Sequence, residues 1–151
     1  MSFGARRYLD FAEVREQIFA LRPLIEKGSG KKCLCHIDSV HDNCLIRDTA
    51  DGKIGRLIDW EYAGMCDPYI DIAMFNIYAE AEKKRADYAI AAYLGENDSP
   101  KNRKLIYAYM AAGAYLWVLW SEIKRASGVD YSAYEDGQYE LAKEFCVYAK
   151  S

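Results

Sequence analysis

The stretch that decides the fold of this chain is HIDSVHDN, at residues 36–43, together with LIDWEY, at residues 57–62. The two stretches give the pattern His-x-Asp-x-x-x-x-Asn, followed by an apolar segment that ends in Asp. A hairpin between them would bring the side chains of Asp38, Asn43 and Asp59 to one corner of the molecule. That corner would hold two carboxylates and one amide, the oxygen ligands that hard metal ions prefer.

The segments around this corner change from short strands to helices along the chain. Strands are predicted at residues 33–37, 44–47 and 54–60, with the turn-forming sequence DTADGK at 48–53. Apolar spacing, prolines and helix-ending glycines predict helices at residues 10–26 with a break near Pro23, 67–78, 80–94, 99–128 and 132–149. The predicted fold class is mainly α with a small β-hairpin, in a single domain over residues 1–151.

The composition is that of one globular domain and argues against several classes of protein. The chain has 151 residues, 52% of them hydrophobic, and a net charge of -3 without a basic tract, so nucleic acid is not an expected partner. The longest apolar run, residues 110–120, is too short for a membrane span, and residues 1–7 lack the apolar stretch of a signal peptide. Five scattered cysteines without a Cys-x-x-Cys motif favour free thiols and a cytoplasmic location.

The corner suits phosphoryl transfer to an alcohol. That reaction needs a carboxylate to accept or orient the hydroxyl proton, and Mg²⁺ held by oxygen ligands. Asp38 follows a predicted strand, Asn43 lies at the far end of its loop, and Asp59 ends the partner strand of the hairpin. His36 precedes Asp38 by two residues, where a backbone-bonded imidazole would brace the loop. A polar turn is the alternative for Asp38 and Asn43 alone, since both residue types favour turns.

The sequence around this loop is similar to that of a known family. CHIDSVHDNCLI, at residues 35–46, resembles the catalytic loop of the choline/ethanolamine kinase and aminoglycoside phosphotransferase superfamily. LIDWEYAG at 57–64, followed by DPYIDIA at 67–73, resembles its metal-binding motif and the helix after it, most closely in the bacterial choline kinases. The chain departs from the family pattern at Ile37, where Asn or Gly is usual, and at Ser39, where Leu is usual.

The resemblance implies a fold, a reaction and a role for each residue. The fold would be the C-terminal lobe of the protein-kinase-like fold, and the reaction would be ATP-dependent phosphorylation of choline or ethanolamine with Mg²⁺. Asp38 would be the catalytic base, and Asn43 and Asp59 would be the magnesium ligands. Asp71 would be a buried brace that hydrogen-bonds the catalytic loop, with His36 as its second support.

A second resemblance concerns aromatic residues. LWVLW at 116–120 resembles the Trp-x-x-Trp of choline kinases, and YSAY at 131–134 with Tyr139 resembles the aromatic run after it. Trp117 and Trp120 are three residues apart and so share one face of the predicted helix. They would form a cage for a quaternary ammonium, in which each good cation–π contact contributes roughly 1 to 2 kcal/mol. The other expected members are Tyr62, Tyr131, Tyr134 and the carboxylate of Glu61. Core packing is the alternative that helical periodicity alone favours.

A zinc site is another use of the residues around the loop. Three cysteines and two histidines fall within 12 residues: Cys33, Cys35, His36, His41 and Cys44. Their spacing matches no zinc-binding pattern, and His36 already has a role as a brace of the catalytic loop. Zinc is therefore not an expected cofactor.

The sequence contains no nucleotide-clamping segment of the kinase type. It has no glycine-rich loop before a strand and no Val-Ala-x-Lys strand, so an N-terminal lobe of the parent protein is expected to be missing. The expected layout is a leading helix at 1–30, a catalytic and metal-binding hairpin region at 33–73 and a helical substrate-binding part at 74–151. Exposure of the surface that faces the missing lobe predicts self-association, and the absence of that lobe predicts weak nucleotide binding.

Two other functions remain open at this point. The chain would fit a related kinase for another amino alcohol or an aminoglycoside, although an aminoglycoside pocket would carry carboxylates rather than tryptophans. It would also fit a non-catalytic module that binds a cationic ligand or a partner protein, which the missing lobe favours for the isolated chain. An activity assay and an upstream coding region for the other lobe would separate these alternatives.

Overall fold

The computed structural model describes residues 7–151 as a helical body with four short strands at one corner. The helices are α1 (Phe11–Phe19), α2 (Arg22–Lys27), α3 (Tyr69–Tyr78), α4 (Lys83–Leu94), α5 (Pro100–Ala126) and α6 (Ser132–Lys150). The strands are β1 (Cys33–Cys35), β2 (Cys44–Thr49), β3 (Gly52–Leu57) and β4 (Gly64–Cys66). Single 3₁₀ turns lie at His41–Asn43 and Gly95–Asn97. Residues 1–6 lie outside the described residues. The expected leading helix at 1–30 therefore falls partly outside them, as does most of the segment at 1–7 that was expected to lack a signal peptide.

The body is built around the long helix α5, which packs mainly against α6 and α3. The sequence predicted its start well: the Ser99 hydroxyl accepts a hydrogen bond from the Asn102 amide at 3.3 Å, and Pro100 follows in the first turn. Fully buried side chains fill the space between the three helices, among them Ile77, Ile106, Met110, Val118 and Phe145. No helix among residues 7–151 is long and apolar enough to cross a membrane.

The first predicted helix is two helices. The segment at 10–26 breaks around Ala20 and Leu21, and Pro23 lies in the first turn of α2 instead of ending α1. A proline fits there because the first turn of a helix needs no hydrogen bond from its backbone nitrogen.

The strands of the hairpin formed by β2 and β3 differ from their predicted bounds. β2 extends further than predicted, and β3 begins and ends earlier than predicted. Its register runs from Cys44 opposite Leu57 to Thr49 opposite Gly52, so the turn lies within the predicted segment 48–53 but comprises only residues 50–51. The predicted strand at 54–60 ends at Leu57 instead, because Asp59 has a φ of 61° and therefore leaves the extended conformation.

A second two-stranded sheet was not predicted. β4 pairs with β1 in antiparallel register, Cys33 opposite Cys66 and Cys35 opposite Gly64. β1 also ends at Cys35 instead of Ile37, whose φ of 70° lies in the left-handed region. A strand of three residues shows no alternation that could identify it. This small sheet places the loop after β1 beside the start of α3.

Candidate functional site

The loop that follows β1 is held by the carboxylate of Asp71 on α3. Its Oδ2 accepts a hydrogen bond from the His36 amide at 3.1 Å and its Oδ1 accepts one from the Ile37 amide at 2.7 Å. The Ser39 hydroxyl donates to the Asp71 carbonyl oxygen at 3.3 Å. Left-handed backbone is costly for a β-branched residue such as Ile37, and two hydrogen bonds to a charged acceptor offset that cost.

His36 joins the loop to the end of the hairpin. Its buried ring places Nε2 2.8 Å from the carbonyl oxygen of Ile58, so Nε2 carries the proton and donates. The ring of Trp60 packs edge-on against the imidazole at 4.7 Å, and the Ile58 amide donates to the Asn43 carbonyl oxygen at 2.9 Å. These bonds bring the backbone at Ile58, one residue before Asp59, against both ends of the loop.

Both oxygens of the Asp38 carboxylate are engaged. The Asn43 side-chain amide nitrogen donates to Oδ2 at 3.0 Å and to the Asp38 carbonyl oxygen at 3.0 Å. The Tyr78 hydroxyl, on α3, donates to Oδ1 at 2.5 Å. Burial, followed by this bond to Asp38, raises the pKa of Tyr78 well above its usual value, so the phenol keeps its proton. The half-buried carboxylate is thus fixed in one orientation.

The three predicted site side chains Asp38, Asn43 and Asp59 share this corner. Because the Asn43 nitrogen points at Asp38, its amide oxygen is the atom left for another partner. Asp59 is exposed, and its carboxylate makes no hydrogen bond or ion pair with any residue from 7 to 151. Among those residues no group of three His, Cys, Asp or Glu side chains could hold a metal ion.

Glu61 and Tyr62 lie on the exposed loop between β3 and β4. The pKa of the Tyr62 hydroxyl is raised, mainly by the neighbouring carboxylate of Glu61. The carboxylates of Asp38 and Asp59 raise it further. One exposed phenol therefore senses three carboxylates, which gives this side of the corner a negative potential that would attract cations.

A row of aromatic rings runs away from Asp38 through the helical body. The ring of Tyr78 lies 5.7 Å from that of Trp117, which lies 5.3 Å from Trp120 in an edge-on contact. Trp120 is 5.0 Å from Tyr131. The indole nitrogen of Trp117 is buried without a hydrogen-bond partner among the described residues. A buried N–H of this kind usually has a water or ligand partner.

Two further tyrosines, Tyr134 and Tyr78, lie near the loop after β1. Burial raises the pKa of Tyr134, with further contributions from Glu80 and Asp38, so its hydroxyl lies within electrostatic range of the loop after β1. Tyr78 was not among the residues that the sequence analysis selected. It lies seven residues after Asp71 on α3, two turns along the same helix face, and that spacing could have identified it.

Comparison with known proteins identifies relatives over most of the chain. The model of the APH phosphotransferase enzyme family matches residues 2–105. Protein LicA of Haemophilus influenzae is 28% identical over 149 residues, covering 91% of this chain and 49% of the relative. The chain therefore spans about half the length of the curated relatives that it matches.

Solved structures show the same fold. The choline kinase LicA from Streptococcus pneumoniae superposes with a TM-score of 0.72 at 26% identity, covering 93% of this chain and 49% of that one. A structure of LicA in complex with AMP has a TM-score of 0.72 at 25% identity, covering 95% of this chain and 48% of that one. The predicted fold, the C-terminal lobe of the protein-kinase-like fold, is confirmed, as is the resemblance to choline kinases. This chain is a member of the APH phosphotransferase enzyme family.

Proposed function

We propose that this chain is the catalytic and substrate-binding half of an ATP-dependent kinase that phosphorylates the hydroxyl of choline. Asp38 is the base, Asn43 and Asp59 are the magnesium ligands, and His36 and Asp71 support the loop. Trp117, Trp120, Tyr131 and Tyr134, with Tyr62 and Glu61 at the entrance, bind the trimethylammonium group. Ethanolamine is the next candidate substrate. We extend the proposal to a cytoplasmic location, which the five free cysteines favour.

The observation that carries this proposal is the contact between Tyr78 and Asp38. It joins the carboxylate to the aromatic row, since the same Tyr78 ring packs against Trp117. Choline has a cation at one end and a hydroxyl at the other. A site for it therefore needs aromatic faces next to a proton acceptor, which is the arrangement along this row.

Asp38 would act by orienting the hydroxyl of the substrate and accepting its proton. Asn43 and Tyr78 hold the two carboxylate oxygens, so the side chain needs no rearrangement before the substrate binds. The substrate hydroxyl would donate to the same carboxylate and would share or replace the bond from Tyr78. Fixing the acceptor in advance removes an entropic cost from the reaction.

The residues at the corner fit a magnesium ion. Asn43 offers an amide oxygen and Asp59 an unpaired carboxylate, and Mg²⁺ typically takes one or two such ligands and completes its shell with water and phosphate oxygens. When bound, the ion would neutralise charge on the phosphates of ATP. The carboxylates near Tyr62 supply the negative potential that draws the ion to the corner.

The first test is a titration of this chain with choline, followed by tryptophan fluorescence. Trp60→Phe removes the one indole outside the aromatic row and should leave the quenching intact. Trp117→Ala should weaken binding by a factor of about 5 to 30, the equivalent of one cation–π contact of about 1 to 2 kcal/mol. A folded protein that gives no response to choline would contradict the proposal.

A neutral analogue provides the matched ligand control. 3,3-Dimethylbutan-1-ol has the shape of choline without its charge, so it should bind much more weakly if aromatic faces recognise the cation. Equal affinity for both compounds would indicate an apolar cavity rather than a cation cage. Tighter binding of an aminoglycoside than of choline would favour the rival kinase function.

Catalysis is a proposal for the parent protein, because the chain spans about half the length of its relatives. We expect the chain alone to bind ATP weakly and to produce no phosphocholine. In a parent protein with a nucleotide-binding lobe, Asp38→Asn should lower kcat by a factor of about 10² to 10⁴. The rival function, a non-catalytic module, predicts choline binding without phosphocholine even in that longer protein.

A further inference from the structure

Three of the five cysteines lie on one face of the small β1–β4 sheet. Cys33 and Cys35 are two residues apart on β1, and their Sγ atoms are 3.7 Å apart. Cys66 on β4 is directly opposite Cys33, and its Sγ is 3.8 Å from the point where a Cβ on Gly64, opposite Cys35, would lie. Because side chains at alternate positions share a face, the three sulfurs point to the same side.

The pair Cys33 and Cys66 has the backbone spacing of a cross-strand disulfide. Residues directly opposite each other in an antiparallel pair have Cα atoms about 4.5 to 5.5 Å apart, and disulfides join Cα atoms about 4.4 to 6.8 Å apart. The register therefore brings the two backbones to a separation that a disulfide can span.

Accessibility separates these two thiols from the third. Cys33 is exposed and Cys66 is partly buried, whereas Cys35 is fully buried. Burial, with a contribution from the Cys33 side chain, raises the pKa of Cys35 to about 12, and its Sγ also lies 3.5 Å from the Asp67 carbonyl oxygen. Cys35 therefore stays a protonated and unreactive thiol.

We propose that Cys33 and Cys66 form a peroxide-sensitive thiol pair that closes into a disulfide across the β1–β4 sheet. The exposed Cys33 thiolate attacks a hydroperoxide, gains one oxygen as a sulfenic acid and releases water or an alcohol. The Cys66 thiolate then attacks the Cys33 sulfur, and the hydroxyl group takes up a proton and leaves as water. Two thiols lose two electrons and the hydroperoxide gains them.

The disulfide would stiffen the base of the candidate catalytic loop. β1 leads directly into His36 and Ile37, and β4 leads into the start of α3, whose Asp71 accepts hydrogen bonds from those two amides. A disulfide between β1 and β4 would therefore link the two chain segments that the Asp71 hydrogen bonds also connect, a few residues before those bonds in each segment. Oxidation should thus slow hydrogen exchange of the His36 and Ile37 amides and move the urea unfolding midpoint upward.

The test is peptide mapping of the whole chain after exposure to hydrogen peroxide and alkylation of the remaining thiols. Trypsin places Cys33, Cys35 and Cys44 on the peptide 33–47 and Cys66 on the peptide 57–83. The expected product is peptide 33–47 linked to peptide 57–83, with a loss of two hydrogen atoms from the intact mass. The link should disappear in Cys33→Ser and in Cys66→Ser, and should persist in Cys44→Ser, which alters another exposed cysteine.

Three results would overturn this inference. They are the absence of any disulfide, a bond confined to peptide 33–47, and a cross-link that survives Cys33→Ser. A linked protein whose His36 and Ile37 amides exchange no more slowly than in the reduced form would overturn the coupling to the loop. These readouts need no substrate, so they are independent of the proposed kinase activity.

Discussion

The helical body and the β2–β3 hairpin are covered to very different extents. Phe145 and Ile106 in the body have no exposed surface, whereas Leu45, Ile46 and Ile54 of the hairpin are 54%, 65% and 44% exposed. Of the twelve hairpin residues that lie in strands, all but Thr49 are exposed. The body is held by its own packing, and the hairpin offers apolar side chains to solvent or to another part of a protein.

The candidate site lies where these two regions meet. A cavity of about 440 Å³ separates the hairpin from α3 and α4, lined on one side by Ile46 and Leu57 and on the other by Ile72 and Phe75. The links across the junction are mainly polar: Asp71 to the loop, and His36 to the backbone of Ile58. The position of the site therefore depends on a few hydrogen bonds rather than on packing.

The sharpest test of this contrast compares an apolar truncation in each region. Phe145→Ala should lower the free energy of unfolding by about 3 to 5 kcal/mol, since it leaves a cavity in a fully packed interior. Ile54→Ala, on the exposed hairpin, should change it by no more than about 0.5 kcal/mol. Urea unfolding followed by circular dichroism measures both.

Similar losses for the two variants would contradict the contrast. They would mean that a second molecule covers the hairpin in solution. Sedimentation of the wild-type chain at several concentrations distinguishes that case, because the predicted self-association would appear as a concentration-dependent mass.

The second prediction concerns the main link between body and loop. Asp71→Asn leaves one acceptor oxygen for two backbone amides and directs an NH₂ group at the other, so the unfolding free energy should fall by about 1.5 to 3 kcal/mol. Hydrogen exchange of the His36 and Ile37 amides should become faster. Asp48→Asn, on the exposed hairpin, is the matched control and should change neither quantity. Unchanged exchange in Asp71→Asn would show that the loop is held by other contacts.

Much of the body could be predicted from the sequence because its signals are local. The Ser99–Pro100 start of α5 depends on capping chemistry within four residues, and the structure has that cap. The role of Asp71 was implied by the family resemblance, and the structure has it bonded to the loop. The cap needs neither a distant contact nor a backbone conformation outside the common regions. Asp71 came only from the resemblance, because its partner Ile37 is distant in sequence and has left-handed backbone.

The remaining features depend on distant contacts. The end of β3 and the turn at Ile37 come from left-handed backbone at non-glycine residues, which composition does not signal. The pairing of β1 with β4 joins segments about thirty residues apart through strands too short to show a pattern. Likewise, the fully buried Glu135 in α6 is paired with Arg125 on α5, a contact that appears only once the helices pack.

The third prediction tests the bond between Asp38 and the helical body. Tyr78→Phe keeps the ring against Trp117 and removes the donor to Asp38, so the unfolding free energy should fall by about 1 to 1.5 kcal/mol. Choline affinity should change less than in Trp117→Ala, because the aromatic face remains. Tyr88→Phe, at an exposed position on α4, is the control and should be neutral. A Tyr78→Phe variant as stable as the control would mean that water replaces the hydroxyl at no cost.

The smallest expected effect is the loss of stability on removing one ion pair, compared between the two regions as the pH is lowered. Hydrogen bonds from Arg7 and then Tyr8 hold the pKa of Asp136 on α6 below its usual range. A carboxyl whose folded-state pKa is depressed stabilises the protein above its unfolded-state pKa of about 3.9 and loses that contribution as the pH falls through the folded-state value. Asp136→Asn should therefore cost up to about 1 kcal/mol at neutral pH, a pair of this exposure being worth no more, and almost nothing in acid.

The hairpin supplies the matched pair for this experiment. Asp48 and Lys53 face each other across the turn at 3.1 Å, but both side chains are more than 70% exposed. Solvent screens such a pair, so Asp48→Asn should be neutral in thermal unfolding at every pH. If only Asp136→Asn shows a pH-dependent loss of thermal stability, the electrostatic stabilisation lies in the body, where the Arg7 and Tyr8 side chains contact α6. An equal loss in both variants would show that net charge, rather than the specific contact with Arg7, sets the acid sensitivity.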